Sequence, residues 1–176
     1  NMGKLFIEMK SFDKARESIL KCLEISQKSE NERNEALAYV NLGSVYFEQR
    51  EYKEAEHYYL EGYKIQKHID DRKKVAETSV YLAKVYFELG NNSLAVEYGE
   101  NALSLSKAND VAEVSEKATR VLHKIYTRTG QYKKALKMLE ENIEITKKIN
   151  NEESKKAVLR QDFMYDYQKK AATDSI

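Results

Sequence analysis

The chain has 176 residues, of which 41% are hydrophobic and 34% are charged, and its formal net charge is +1. This length is typical of one domain with its own core, and the near-zero net charge gives no overall field that would attract nucleic acid or a membrane surface. No apolar run approaches about 18 residues and Cys22 is the single cysteine, so the sequence predicts neither a membrane-spanning helix nor an internal disulfide framework.

The sequence predicts an almost wholly helical chain built from repeats. Proline is absent and glycine occurs only six times, and both residues disfavour the interior of a helix. A shift of 40 residues aligns the chain with itself. The shared positions form an aromatic, an alanine and an aliphatic column: Phe6, Tyr46, Tyr86 and Tyr126; Ala15, Ala55, Ala95 and Ala135; Ile25, Ile65, Leu105 and Ile145.

The repeat divides the chain into units. In chain order these are an incomplete first unit, three full units and a C-terminal capping or linker helix: 1–31, 32–71, 72–111, 112–151 and 152–176. Each unit carries two amphipathic patterns with a short break between them, which predicts two antiparallel helices. Gly90 and Gly130 end the first helix of two units, where a left-handed C-cap favours glycine. Small residues such as Gly43 and Ala55 are predicted where helices cross closely.

Five residues of the second unit carry a family resemblance. Leu42, Gly43, Tyr46, Ala55 and Tyr59 have the spacing of a tetratricopeptide repeat, and the later units repeat much of it. The resemblance implies an all-α solenoid, a right-handed superhelix of antiparallel helix hairpins that binds proteins or peptides. The period of 40 exceeds the family's usual 34 and the family's proline is missing. We expect the additional residues to lengthen both the paired helices and the turns between units.

The C-terminal segment carries a second, shorter resemblance. Leu159, Phe163 and Tyr167 recur at helical spacing, which predicts a helix that caps the last unit. The tail over 165–176 also resembles the segment that follows tetratricopeptide arrays in Bacteroidetes sensor kinases and transcription regulators. That likeness implies the sensing part of a larger membrane-tethered protein and a periplasmic location; without it, a cytoplasmic location is expected.

Motifs for catalysis, metal ligation or cofactor binding are missing from the sequence. The three histidines lack metal-ligand spacing, and no phosphate-binding glycine loop occurs, so we predict no cofactor and no enzymatic activity. Cys22 falls in the small-residue column of Gly62 and Ala102, which predicts a buried, unreactive thiol. His123 and Asn142 replace small residues in one unit, and we expect them to hydrogen-bond inside that helix pair.

In the tetratricopeptide family, the first helix of each repeat lines a concave groove. The resemblance therefore implies that the positions of these helices not used in packing form the candidate site. The predicted partner-binding residues are Asn41, Phe47, Tyr81, Lys84, Phe87, Lys117, Arg120, Lys124, Arg128 and Arg160. Asn41 and Lys117 fall where a carboxylate clamp of chaperone-binding relatives would need them, but Tyr81 and Val121 depart from that clamp.

Four of these residues form a basic stripe. Lys117, Arg120, Lys124 and Arg128 are spaced 3, 4 and 4 apart, so they share one helix face, and the sequence predicts no acid among them. Residues 1–116 carry 16 Lys and Arg against 21 Asp and Glu, and 117–176 carry 14 against 8, giving net charges of −5 and +6. Either the stripe is a solvated face or it binds an acidic peptide or a terminal carboxylate.

The sequence therefore favours a protein- or peptide-binding module, the sensing or scaffolding part of a larger bacterial signalling or transcription-regulatory protein. The alternative is a self-association module, a homodimer formed through the exposed ends of the array or the 152–176 helix. Nucleic-acid binding is disfavoured, because no aromatic ring accompanies the four aligned cations.

Overall fold

The computed structural model describes the backbone of residues 11–173 and the side chains of residues 11–155. That part of the chain is all-α, and no helix in it is both long and apolar enough to cross a membrane. Its seven helices pack in consecutive antiparallel pairs: α1 (Phe12–Lys28), α2 (Glu32–Glu48), α3 (Tyr52–His68), α4 (Arg72–Glu88), α5 (Asn92–Ala108), α6 (Ala112–Arg128) and α7 (Tyr132–Thr173).

Each helix begins 20 residues after the start of the helix before it. Each helix from α1 to α6 has 17 residues, and three residues separate it from the next. The expectation of longer turns between units is therefore wrong, because the turn between α3 and α4 is no longer than the turn inside a pair. The additional residues of the 40-residue period lie in the helices.

Every turn from α1 to α7 has the same backbone geometry. The middle residue is left-handed and its N–H bonds three residues back, while the next N–H bonds five residues back, which is the Schellman arrangement. Gly90 and Gly130 adopt this conformation at φ of 78° and 72°, which confirms the predicted caps. The other four turns place residues with a Cβ there: Glu30, Arg50, Asp70 and Asp110.

Small residues mark the helix crossings, as predicted. A Cβ built on Gly43 would lie 2.6 Å from Cδ1 of the Tyr59 ring, and one on Gly62 would lie 2.7 Å from Val40 Cγ2. Ala55 is fully buried. Glycine at these crossings lets the axes approach while the neighbouring ring fills the space beside it.

His123 and Asn142 do not bond to each other. His123 Nδ1 lies 3.0 Å from the carbonyl oxygen of Ala135, and Asn142 Nδ2 donates to the carbonyl of Glu116 at 2.8 Å and to Thr119 Oγ1 at 2.9 Å. Both polar groups are satisfied across the α6–α7 pair, so the need for partners was predicted correctly and the choice of partners was not.

Cys22 is exposed, so its predicted burial is wrong. The equivalent Gly62 is covered by Val40 and Ala36 of the helix that precedes it. Val40 and Ala36 have no counterparts in this sequence, because positions 40 residues earlier would fall before Asn1. Phe6, a member of the aromatic column, lies outside the described part of the chain.

The last helix does not end where the fourth unit was predicted to end. α7 continues without a break from Tyr132 to Thr173, 42 residues, through the predicted boundary between 151 and 152. A separate capping helix is therefore not formed in this structure, although the segment assigned to it is helical. At about 1.5 Å per residue, a helix of this length spans roughly 63 Å.

Candidate functional site

The exposed faces of α2, α4 and α6 form one continuous groove. It consists of a cavity of about 640 Å³ between α2 and α4, a neck of about 90 Å³, and a cavity of about 330 Å³ between α4 and α6. Tyr81 lines the first cavity and the neck, and Phe47 and Lys84 line the neck and the third cavity, so the three spaces join. Equivalent side chains meet on this face because the three helices begin 40 residues apart.

The cavity between α4 and α6, here called the cationic cavity, gathers most of the predicted site. Six of the ten predicted partner-binding residues line it, with Glu88 and Val121 beside them: Phe47, Lys84, Phe87, Lys117, Arg120 and Lys124. Two helices supply the positive charge, since Lys84 comes from α4 and the other three cations come from α6.

Lys84 has the most perturbed surroundings of the four cations. Burial lowers the pKa of Lys84, and the nearby charges of Lys117, Arg120 and Lys124 lower it further, while Glu48 opposes the shift. The Lys84 ammonium also lies 5.8 Å from the centre of the Tyr81 ring. A half-buried ammonium surrounded by like charges is a position where a bound anion is stabilised.

The members of the basic stripe differ in their partners. No acid lies between Lys117 and Arg128, but Glu116, just before the stripe and one turn before Arg120, forms an ion pair with Arg120. Arg128 stacks on the Phe87 ring at 3.4 Å from its centre and donates to Asn92. Lys117 and Lys124 form no ion pair with any described residue.

The aromatic side chains of the groove are held in place by other rings. Tyr81 stacks on Tyr59 with centroids 5.3 Å apart, and Phe47 meets Tyr52 edge-on at 5.5 Å. Phe87 is covered on one face by Arg128. These contacts fix the rings, so a partner would meet a preformed apolar surface.

Asn41 belongs to a different part of the groove. It lines the cavity between α2 and α4 with Tyr81 and the apolar Leu37. Arg33 and Lys74 also line this cavity and were missed. They lie about two helical turns before Asn41 and Tyr81, so extending the predicted groove face by two turns towards each N-terminus would have included them. Lys74 is paired with Glu77 at 2.7 Å.

Arg160, the tenth predicted residue, lies outside the residues whose side chains are described. Among those that are described, no three His, Cys, Asp or Glu side chains are grouped so as to hold a metal ion. The groove offers charge and apolar surface, which recognise a partner, and its Lys84, Lys117 and Lys124 ammoniums are suited to carboxylates.

Stacked antiparallel helix pairs with a groove along their first helices define an α-solenoid repeat protein. Family models described as tetratricopeptide repeat match residues 1–68, 76–109 and 124–154. The chain belongs to the tetratricopeptide repeat family, whose repeats are generally non-catalytic scaffolds for protein interaction.

Solved structures share this fold at low sequence identity. BtubC (BKLC) from P. vanneervenii is 21% identical with a TM-score of 0.74, covering 85% of this chain. A Rap protein complexed with competence and sporulation factor is 15% identical with a TM-score of 0.75, covering 81%. A signal transduction ATPase with numerous domains and a tetratricopeptide repeat sensor, from Pyrococcus horikoshii, is 21% identical with a TM-score of 0.74, covering 87%.

This chain spans only part of those proteins. It covers 62% of BtubC, 40% of the Rap protein and 24% of the Pyrococcus horikoshii protein. No curated protein matches it in sequence. The likeness to the solved structures therefore establishes the fold of the chain.

Proposed function

We propose that the chain binds an acidic peptide segment or the carboxylate end of a protein partner in the α2–α4–α6 groove. The observation that carries this proposal is the position of Lys84, half-buried in the cationic cavity that Lys117, Lys124 and the Phe47 and Phe87 rings also line.

The electrostatics of the cavity favour an anion over a cation or a neutral group. Burial and like charge both disfavour the charged form of Lys84, and a carboxylate placed among the ammoniums relieves the second effect. At about 4 Å, opposite charges near a protein surface attract by roughly 4 kcal/mol before desolvation is subtracted. The cavity is thus complementary to negative charge.

The rings give the proposed ligand its second feature. Phe47 and Phe87 lie at the same cavity as the three lysines, so an acidic residue flanked by an apolar one fits better than a run of acids. A chain of extended peptide could continue through the neck past Tyr81 towards Asn41. Affinity would then come from side-chain complementarity, with no chemical step.

The wider context we propose is the sensing or scaffolding part of a larger bacterial signalling or transcription-regulatory protein. Two proteins of the same fold motivate it: the Rap protein complexed with competence and sporulation factor, and the ATPase with a tetratricopeptide repeat sensor. Binding in the groove would be the event that such a sensor reports.

The test uses peptides that combine an acidic and an aromatic residue, synthesised with free or amidated ends. Titration calorimetry should show binding that is lost at least about tenfold, or roughly 1.4 kcal/mol, when Lys117 and Lys124 are both changed to Glu. These two lysines are chosen because Arg120 is already paired with Glu116.

The control carries the same change of charge elsewhere. Lys133 and Lys137 are exposed residues of α7 that line none of the groove cavities, and changing both to Glu should leave affinity within about twofold. Equal loss in the two variants would mean that only net charge matters, and unchanged affinity in the Lys117 and Lys124 variant would refute the site. Loss on amidation alone would assign the cavity to a chain terminus.

A further inference from the structure

One apolar face of α7 is uncovered. Tyr132, Leu136, Leu139 and Ile143 are 70%, 55%, 40% and 45% exposed and are spaced 4, 3 and 4 residues apart, so they form one line along the helix. We call these four residues the α7 stripe. Large apolar side chains aligned on one face indicate a surface that another element covers.

The equivalent face of α5 shows what that element is. Val96, Gly99 and Leu103 lie 40 residues before Leu136, Leu139 and Ile143. Val96 and Leu103 pack against the cluster that contains Leu122 and Tyr126, and a Cβ on Gly99 would lie 2.7 Å from Leu122 Cδ2. The covering residues therefore come from α6, the helix that follows.

The same face of α3 is covered in the same way. Tyr59 stacks on Tyr81 of α4, the helix that follows, and Tyr63 meets Tyr98 of α5 edge-on at 5.8 Å. In both earlier pairs, then, the chain makes a turn after the second helix and its next hairpin covers this face. The α7 stripe is the position for a following helix.

The turn that would bring such a helix back is present in the sequence. Left-handed residues recur every 20 positions from Glu30 to Gly130, so the next position in register is Asn150. Asparagine adopts the left-handed conformation more readily than other residues with a Cβ. Asn151 then falls at the N-cap position, where Asn31 and Asn91 accept a hydrogen bond from the third residue of their helices.

The segment after this position has the length and pattern of a covering helix. Residues 152–173 are helical and number 22, against 17 for each helix from α1 to α6. The sequence places Leu159 and Phe163 four residues apart within it, as in an amphipathic helix.

We propose that the α7 stripe is a binding surface for residues 152–173 of the same chain, and that Ile149–Asn150–Asn151 is a latent turn. The chain then has two forms, one with α7 straight and one with 152–173 folded back as an eighth helix. The chain's own segment is favoured over a second copy because a three-residue tether keeps it at millimolar or higher effective concentration, about that of short linkers. This proposal does not depend on the groove.

The test measures a distance in the full chain. Spin labels at Lys137→Cys and Gln161→Cys, in a Cys22→Ser background, are separated by 24 residues and so by about 36 Å along a straight helix. In the folded-back form the two helix axes lie about 8–10 Å apart, which brings the labels within roughly 20 Å. Pulsed electron resonance resolves the two populations.

Two substitutions at Asn150 should shift the equilibrium between the straight and folded-back forms in opposite directions. Asn150→Gly favours the left-handed turn and Asn150→Ala favours the continuous helix, so the ratio of short to long distances should differ between them by about tenfold or more. Leu139→Asp, at an exposed position, should remove the short distance from the Asn150→Gly chain. Dilution with excess unlabelled chain should leave the short distance in place.

Two results would overturn the proposal. One is a single distance of about 36 Å in the Asn150→Gly chain, which would mean that the turn does not form even when glycine permits it. The other is a short distance that disappears on dilution, which would assign the α7 stripe to a second copy of the chain.

Discussion

Replacing Gly62 by alanine tests how closely α2 and α3 approach. A Cβ at this position would lie 2.7 Å from Val40 Cγ2 and 2.9 Å from the carbonyl oxygen of Ala36. The valine can rotate, but the carbonyl belongs to the backbone of α2, so the helix itself must move. Overpacking of this kind costs about 1–3 kcal/mol.

Helix propensity acts in the opposite direction. Alanine in the interior of a helix is favoured over glycine by about 0.5–1 kcal/mol. The difference between these two effects is a net loss of stability of about 1 kcal/mol for Gly62→Ala, taken from the midpoints of the two ranges. For a chain of this size, each kcal/mol lowers the melting temperature by about 2–4 °C.

The equivalent position of the next unit gives the matched comparison. Ala102 is fully buried and accommodates its Cβ, so Ala102→Gly should also destabilise, by about 1 kcal/mol. Denaturant and thermal unfolding followed by circular dichroism measure both changes. Helix propensity alone predicts that Gly62→Ala raises the stability and that Ala102→Gly lowers it. A rise in the melting temperature of Gly62→Ala would therefore refute the steric reasoning.

Three further outcomes are expected. Gly90→Ala should lower the free energy of unfolding by about 1 kcal/mol through its φ of 78° alone, since nothing lies within 4 Å of the new Cβ. Arg50→Gly, at φ of 64°, should raise the free energy of unfolding by up to about 1 kcal/mol. Urea midpoints that shift in the same direction in the two variants would contradict this reasoning. Thr78→Val should lose about 1–3 kcal/mol in thermal unfolding, because it leaves the buried Gln66 amide without its 2.8 Å hydrogen bond. Since the pKa of Lys84 is lowered, Lys84 loses its charge as pH rises through a value below 10.5. The affinity for an acidic peptide, measured by calorimetry, should therefore fall over that pH range. The Lys84→Gln variant, which has no charge to lose at this position, should not show this fall.

The periodic parts of the fold could be predicted from the sequence. Gly43, Ala55 and the glycine caps report directly on helix contacts and backbone conformation, and a fixed 40-residue spacing brings α2, α4 and α6 to one face. That spacing is also why Phe47 and Lys84 meet the α6 lysines at one cavity.

The remaining features depend on energies that residue type does not reveal. Arg50 is left-handed because two turn hydrogen bonds offset its strain, and no residue type marks such a site. The ion pair of Glu116 with Arg120 is predictable from the four-residue spacing, although Glu116 lies just before the four cations of the stripe. Cys22 occupies the column of Gly62 without the cover that Val40 and Ala36 give Gly62, and the column alone does not reveal this difference.

The six like turns between Phe12 and Tyr132 have a mechanical consequence. A joint within a hairpin and a joint between hairpins have the same length and the same hydrogen bonds, so the turns themselves do not distinguish them. The two helices of one hairpin nevertheless contact each other more extensively than the helices of neighbouring hairpins do. An applied bend is then taken up mainly between hairpins, and because those joints are alike, the groove would widen or narrow by similar steps along its length.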